Sequence, residues 1–300
     1  MTRLRDYYEL TKPGIVYGNA IAALGGFFLA SQGVLEWRTL GAMLAGLSLV
    51  IASGCVLNNY FEIDLDRLME RTKSRPLPRG AIAPRAALVY ATILGLAGLL
   101  ALALGTTILA AAVALFGLFV YVVLYTLLTK RRTPYATHVG SLAGATPPVV
   151  GYVAITGHFD IAALILFLML VLWQMPHFFA IALFRRDEYA AAKVPVWPLV
   201  KGVPSTKRQM VGYVALFAAA SVLLWVFDYT GRVYGITAIV LGVAWIAFAI
   251  AGYAQTEENR WAKRVFFFSL VVLTVLCATM ALDARQTGPA KPARYVPTYV

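Results

Sequence analysis

The sequence predicts an all-α integral membrane protein with nine transmembrane helices. Three observations carry that prediction: the hydrophobic content, the spacing of the charges and the sidedness of the basic residues. Of the 300 residues, 60% are hydrophobic and 13% charged, against about 45–50% and about 25% in soluble proteins. That balance excludes a water-soluble globule. The charges leave eight uncharged stretches, at 13–35, 39–61, 86–129, 133–159, 161–184, 209–227, 233–256 and 265–282. A spanning helix needs about 20 apolar residues, so each stretch holds one span except 86–129, which holds two and turns at Gly105, Thr106 and Thr107.

The net charge of +12 is distributed by side. Basic residues gather in alternate connections: up to Lys12, from Arg67 to Arg85, at Lys130 to Arg132, from Arg185 to Arg208 and from Arg260 to Arg264. Only Arg38, Arg232, Arg285, Lys291 and Arg294 fall elsewhere. The positive-inside rule then sets the N-terminus in the cytoplasm and the C-terminus outside, and the charge reports topology rather than a nucleic-acid partner. The first apolar run is too long, and Asp6 and Glu9 make its leading segment too mixed in charge, for a cleaved leader. The segment ahead of Pro13 leaves no room for an organellar transit peptide, which points to a bacterial inner membrane. Cys55 and Cys277 are expected near opposite membrane faces, too far apart for a disulfide.

Outer connections are short, whereas two inner ones, 62–85 and 185–208, are long, charged and rich in proline. Loops of that length are usually functional or disordered. Their prolines, set among aromatic and apolar residues, argue for ordered cytoplasmic caps on one membrane domain over 1–283. The two caps follow spans 2 and 6, a hint of a duplicated four-helix unit. Residues 284–300, with Gly288, Pro289, Pro292 and Pro297, read as a disordered outer tail.

The most informative segment is NNYFEIDLDRLMERTKSRPLP, residues 58–78, where span 2 leaves the membrane. If the helix continues at about 100° per residue, Glu62, Asp66 and Asn59 lie at about 40°, 80° and 100° from Asn58, so four oxygen-bearing side chains share one face. Asp64 points away unless the helix breaks first. Carboxylates and amides so grouped suit Mg²⁺, which typically takes one or two carboxylates while substrate phosphates and water fill its other positions. Arg71, Lys73 and Arg75 follow and are suited to phosphate oxygens. The bland alternative, a solvated membrane boundary, leaves two amides on the same face unexplained.

Lys130, Arg131 and Arg132 end span 4 with no acid nearby in sequence. They read either as a positive-inside anchor or as unpaired cations facing an inner cavity. Gly140, Gly144, Pro147, Pro148 and Gly151 interrupt span 5, where small residues let helices approach closely. His177 lies about 12 Å of helix rise inside the boundary at Arg185, beside Pro176. An ionisable residue at that depth is a site candidate. Trp173 falls about 40° from it on the helical wheel, which offers a flat aromatic surface beside an imidazole. His138 and His158 read as interfacial.

The run from Asn58 resembles the first polar motif of the UbiA family of intramembrane prenyltransferases, Asn-Asp-x-x-Asp-x-x-x-Asp followed by Arg-Thr and Arg-Pro-Leu. Asn58, Asn59, Glu62 and Asp66 occupy its four places, Arg71-Thr72 follows and Arg75-Pro76-Leu77 closes the match. Asn59 stands where the family has an acid and offers only a neutral oxygen. Residues 125–152 and 173–202 narrow the resemblance, which spans about 10–283, to a heme-prenylating branch. The resemblance implies a bundle around a cavity open to the cytoplasm and to membrane lipid. It further implies farnesyl diphosphate and heme B as substrates, Mg²⁺ held by Asn58, Asn59, Glu62 and Asp66, and Tyr125, Lys130 and Arg131 near the diphosphate.

In the family's second polar region, which normally binds another Mg²⁺, this chain has Asp187, Glu188, Tyr189, Lys193 and Lys201. Lys193 or Lys201 is therefore expected to meet phosphate directly. His177 and Trp173 are implied to contact heme, through iron or a propionate. Tyr125 is expected to shield a carbocation, at about 0.5–2 kcal/mol per contact. A heme A synthase or a terminal oxidase would take the product, heme O. Rival readings are a family member with a quinone-precursor or chlorophyllide acceptor, a secondary transporter and an assembly scaffold. A transporter is expected to carry a mid-membrane coupling carboxylate, whereas all 14 acids here fall at or beyond span boundaries.

Overall fold

The computed structural model describes residues 2–255 and 257–285. Among them the chain forms helices α1 (Thr2–Leu10), α2 (Pro13–Ser31), α3 (Trp37–Phe61), α4 (Ile63–Leu68), α5 (Pro84–Gly105) and α6 (Ile108–Phe119), the last running into a π-helix at Val120–Thr129. There follow α7 (Ala136–Gly144), α8 (Thr146–Thr156), α9 (Ile161–Phe184), α10 (Arg186–Ala191), α11 (Trp197–Val200), α12 (Val203–Val226), α13 (Arg232–Ile250) and α14 (Glu258–Asp283). Nine apolar spans result among the described residues, with α7 and α8 sharing one.

The expected turn within 86–129 is present: α5 ends at Gly105, and the Thr107 hydroxyl accepts from the Ala110 amide to cap α6. The last helices begin earlier than the uncharged stretches do, at Val203 and Glu258. Lys207, Arg208, Arg260, Lys263 and Arg264 belong to these helices, because a helix satisfies its own backbone and carries charged side chains beyond the apolar zone. A second difference lies at Glu62, where α3 stops (φ −111°, ψ 16°) and α4 restarts, so the helix is broken within the acidic run. At the C-terminus, Ala284 bridges to Thr230 and Arg285 bonds Asp228, so these two residues are tied to the bundle; the rest of the expected tail lies outside the described residues.

Between apolar helices in lipid, close packing substitutes for a hydrophobic driving force. A Cβ on Gly98 would fall 2.6 Å from the Gly46 carbonyl oxygen, which is how closely α3 and α5 approach. Helices α2 and α8 meet through Gly26 against Pro148 and Gly151 against Ala23. The glycines of span 5 thus serve packing, and Gly144 also makes room for the Gln174 amide. Lipid-facing residues such as Val89, Ile93, Leu96, Leu100 and Leu104 of α5 are exposed at helical spacing. The two long charged connections are ordered by a cluster of Leu65 and Met69 with Ala192 and Val194. Glu188 ties them further, to Arg185 at 2.5 Å and Arg71 at 3.5 Å.

Candidate active site

One cavity of about 660 Å³ runs between α2, α3, the π-helix, α7, α9 and α14. Asn58, Glu62, Asp66, Arg71, Arg75 and Lys130 form its polar end, and Trp173, His177, Phe178 and Phe266 line it elsewhere. Asn58, Glu62 and Asp66 are 2%, 4% and 4% exposed, so the acidic run turns inward despite the break at Glu62. The ladder survives there, since the Glu62 amide donates to Asn58 O and the Asp66 amide to Glu62 O.

Both carboxylates have cations. Lys130 Nζ lies 2.5 Å from Glu62 Oε1 and 2.6 Å from Oε2, with hydrogen-bond alignment only to Oε2. Arg75 Nη1 donates to Asp66 Oδ1 at 3.0 Å and Oδ2 at 2.8 Å. Burial disfavours the charge on Lys130, yet Tyr125 and Glu62 beside it hold the group above the ordinary lysine range. Two of the three basic residues after span 4 are therefore paired, and Arg132 is exposed. Lys130 takes Glu62, and Arg131 takes Asp64 through two bonds of 2.6 and 2.7 Å. The acids come from 67 or 68 residues away, a distance that local sequence cannot reveal. Asp64 points outward because α4 restarts the helical register, and the Arg131 hydrogen bond holds its carboxyl below the usual range.

Other expected residues fall outside the cavity. Asn59 is turned to structure: its amide nitrogen donates to Leu10 O, and its oxygen accepts from Arg75 at 3.3 Å. Arg131 is on the Asp64 side, and Lys73 is exposed and paired with Glu70. Asp187, Lys193 and Lys201 are exposed, since this connection directs Tyr189, Val194 and Val196 inward instead. Trp173 does not present a free flat surface. It stacks on His177 with centroids 4.6 Å apart, and its indole N–H donates to Ser269 O. Tyr125 lines the cavity, with the Lys130 ammonium 5.6 Å from its ring centroid.

The π-helix was not legible as such. It carries Tyr121, Tyr125 and Thr126, and the Lys130 amide reaches back five residues to Tyr125 O. Such insertions re-aim side chains and are frequent at functional sites. Thr126 accepts from Asn58 Nδ2 at 3.1 Å and so fixes the amide. Lys12 is the other addition. Its left-handed backbone (φ 52°) ahead of Pro13 brings Nζ to donate to Asn58 Oδ1 at 2.5 Å. The Lys-Pro pair at a span start was its only signal.

Burial pulls Lys12 down to about 8, and the Arg75 guanidinium adds to that. A bound anion stabilises the charged form, so above pH 8 anion binding requires proton uptake at this lysine. Diphosphate affinity is therefore expected to stay level below about pH 8 and to weaken above it, with Lys12→Met abolishing that limb. Isothermal titration across pH checks this; an unchanged limb in the variant would remove Lys12 from the anion site.

The donor set fits Mg²⁺ with a diphosphate rather than Mg²⁺ alone. Among the described residues no group of three or more His, Cys, Asp or Glu side chains is assembled, but two buried carboxylates face one cavity and Glu62 Oε1 lacks a hydrogen bond. Three cations, Lys12, Arg75 and Lys130, surround these two acids, leaving positive charge for a polyanion.

The model of the UbiA prenyltransferase family matches residues 19–271. A Yersinia enterocolitica protein named protoheme IX farnesyltransferase is 46% identical over 98% of this chain and 99% of its own length. A protein of the same name from Photorhabdus laumondii is 45% identical over 99% of both chains. Among solved structures, a digeranylgeranylglyceryl phosphate synthase superposes with a TM-score of 0.78 at 21% identity, covering 94% of this chain and 98% of its own. A UbiA homolog from Archaeoglobus fulgidus bound to DMAPP and Mg²⁺ gives 0.65 at 16% identity, covering 92% and 99%. These two share the fold.

Proposed function

The chain belongs to the UbiA prenyltransferase family, and within it we propose that this membrane protein transfers a farnesyl group from farnesyl diphosphate to the 2-vinyl group of heme B, giving heme O. The observation that carries this reading is a single cavity joining a buried acid and base cluster to an aromatic, histidine-bearing wall. The near full-length similarity to proteins named protoheme IX farnesyltransferase supports the acceptor. Heme O made here would pass to a heme A synthase or a terminal oxidase. The basic caps support, by the positive-inside rule, a cytoplasmic position for this end of the cavity in a bacterial inner membrane, with the N-terminus inside.

Ionisation of an allylic diphosphate breaks the carbon–oxygen bond and leaves both electrons on the leaving group. Arg75, Lys130 and Lys12 line the polar end and neutralise that developing charge. Mg²⁺, held by Glu62 and Asp66, would add Lewis-acid stabilisation of the same oxygens. Lys130 and Arg75 are parked on the carboxylates in the resting arrangement, so substrate entry exchanges carboxylate partners for phosphate oxygens. The vinyl terminal carbon forms the new bond to the allylic cation. Water then adds to the cation beside the porphyrin and releases a proton, which leaves a hydroxyl-bearing carbon attached to the ring.

The walls between the two ends, including Leu47, Val50, Leu118 and Leu170, are apolar. They exclude bulk water from the allylic cation, whose premature capture would give farnesol. Purified protein with heme B, farnesyl diphosphate and Mg²⁺ is expected to yield heme O by mass spectrometry, and chelator is expected to stop it. Product from geranyl but not farnesyl diphosphate would overturn the donor, and product from a quinone precursor alone would overturn the acceptor.

A further inference from the structure

We propose that His177 is the axial ligand of the heme iron in the substrate complex and that Ser269 is the positioning residue that holds it ready; the inference rests on heme being the acceptor. His177 is 8% exposed and is the one histidine among the residues that line the cavity. Two aromatic rings pack on its imidazole, Trp173 at 4.6 Å and 23° and Phe266 at 4.6 Å and 34°. A porphyrin therefore meets an edge of this imidazole, not a face.

The hydrogen bonds decide which edge. Ser269 Oγ lies 2.6 Å from Phe266 O and 2.7 Å from His177 Nδ1. A hydroxyl has one proton, and a carbonyl oxygen can only accept, so that proton goes to Phe266 O. The oxygen must then accept from Nδ1–H. In the neutral ring this puts the lone pair on Nε2, and Nε2 has no hydrogen-bond partner among the described residues. The Ser269 backbone is fixed in turn by the Trp173 indole, which donates to its carbonyl at 2.8 Å.

An imidazole that donates one ring N–H to a fixed acceptor while the other nitrogen stays free is the arrangement of metal-ligating histidines. A propionate partner would instead need an N–H at Nε2 and a doubly protonated ring, with no carboxylate in contact with it here. Iron needs only the lone pair. End-on ligation would also pin the macrocycle at its centre, leaving the orientation of its vinyl edge to the surrounding wall.

The test is a heme B titration of the full-length protein in nanodiscs without prenyl diphosphate, read by affinity and by the iron–histidine stretching band of the ferrous complex. The native protein is expected to show the band. His177→Ala is expected to lose it and to bind heme at least about tenfold more weakly, and added imidazole is expected to restore it. Ser269→Ala should keep heme bound with a shifted band and about tenfold lower affinity, the scale of losing a support to a metal ligand. An unchanged band in His177→Ala, or heme bound by the native protein without nitrogen ligation, would overturn the ligand and leave the heme-acceptor reading standing. No heme binding by the native protein would overturn both. An unmoved band and affinity in Ser269→Ala would remove its positioning role.

Discussion

Asp66→Asn is expected to lower prenyl transfer by at least about 100-fold, or about 2.7 kcal/mol in the barrier, while heme still binds. The substitution keeps shape and size but removes one of two buried carboxylates that face the cavity. It also leaves Arg75, which makes two bonds to that carboxylate at 2.8 and 3.0 Å, opposite a neutral amide. Raising the Mg²⁺ concentration should recover little of the rate, because the lost group is a charge and not merely a contact. Steady-state turnover with heme affinity measured in parallel checks this. Loss of both turnover and heme binding would instead point to a folding defect, and near-native turnover would take Asp66 out of the chemistry.

Gly151→Ala is expected to destabilise the bundle by about 3 kcal/mol. Its Cβ would lie 2.0 Å from Ala23 O and 2.9 Å from both Ala23 C and Phe27 N. All three are backbone atoms of α2, so no rotamer change relieves the clash and the two helices must separate. Helix α2 begins beside Lys12 and lines the cavity through Ile15 and Gly18, so diphosphate affinity should fall with stability. Gly212→Ala is the control, since nothing lies within 4 Å of its Cβ, and a change within about 0.5 kcal/mol is expected. Unfolding temperatures of the two variants in one detergent provide the comparison. Equal temperatures would show that α2 and α8 have more freedom than their contact implies.

The spans were legible because lipid imposes a requirement that local sequence must meet: every spanning helix needs its own apolar run, whatever surrounds it. The turn at Gly105 to Thr107 and the close packing around Gly144 and Gly151 follow from residue size and helix-breaking tendency. The cluster at Asn58, Glu62 and Asp66 was legible as a spacing, and its burial survives the break at Glu62 because two backbone bonds bridge that break. What was not legible is pairing across the bundle. Lys130 and Arg131 look alike beside each other, yet one enters the cavity with Glu62 and the other leaves it with Asp64.

The same limit explains Lys12 and Ser269. Neither belongs to a motif, and each acquires meaning only from a partner far along the chain: Asn58 for Lys12 and His177 for Ser269. Conversely, Lys193 and Lys201 looked suited to phosphate by charge alone. Lys193 sits in the left-handed turn (φ 54°) that follows α10 and Lys201 at the end of α11, and in this connection the inward positions fall to Tyr189 and Val194.

In the proposed reaction one cavity holds both substrates, with the diphosphate at the Glu62 and Asp66 end and the porphyrin against His177. A structure of the protein with heme B, Mg²⁺ and a non-ionising thiol analogue of farnesyl diphosphate tests it most directly. Diphosphate density is expected among Arg75, Lys130 and Lys12, with the farnesyl chain along the apolar wall and the porphyrin edge at its far end. Heme located outside this cavity, or a diphosphate away from both carboxylates, would contradict it.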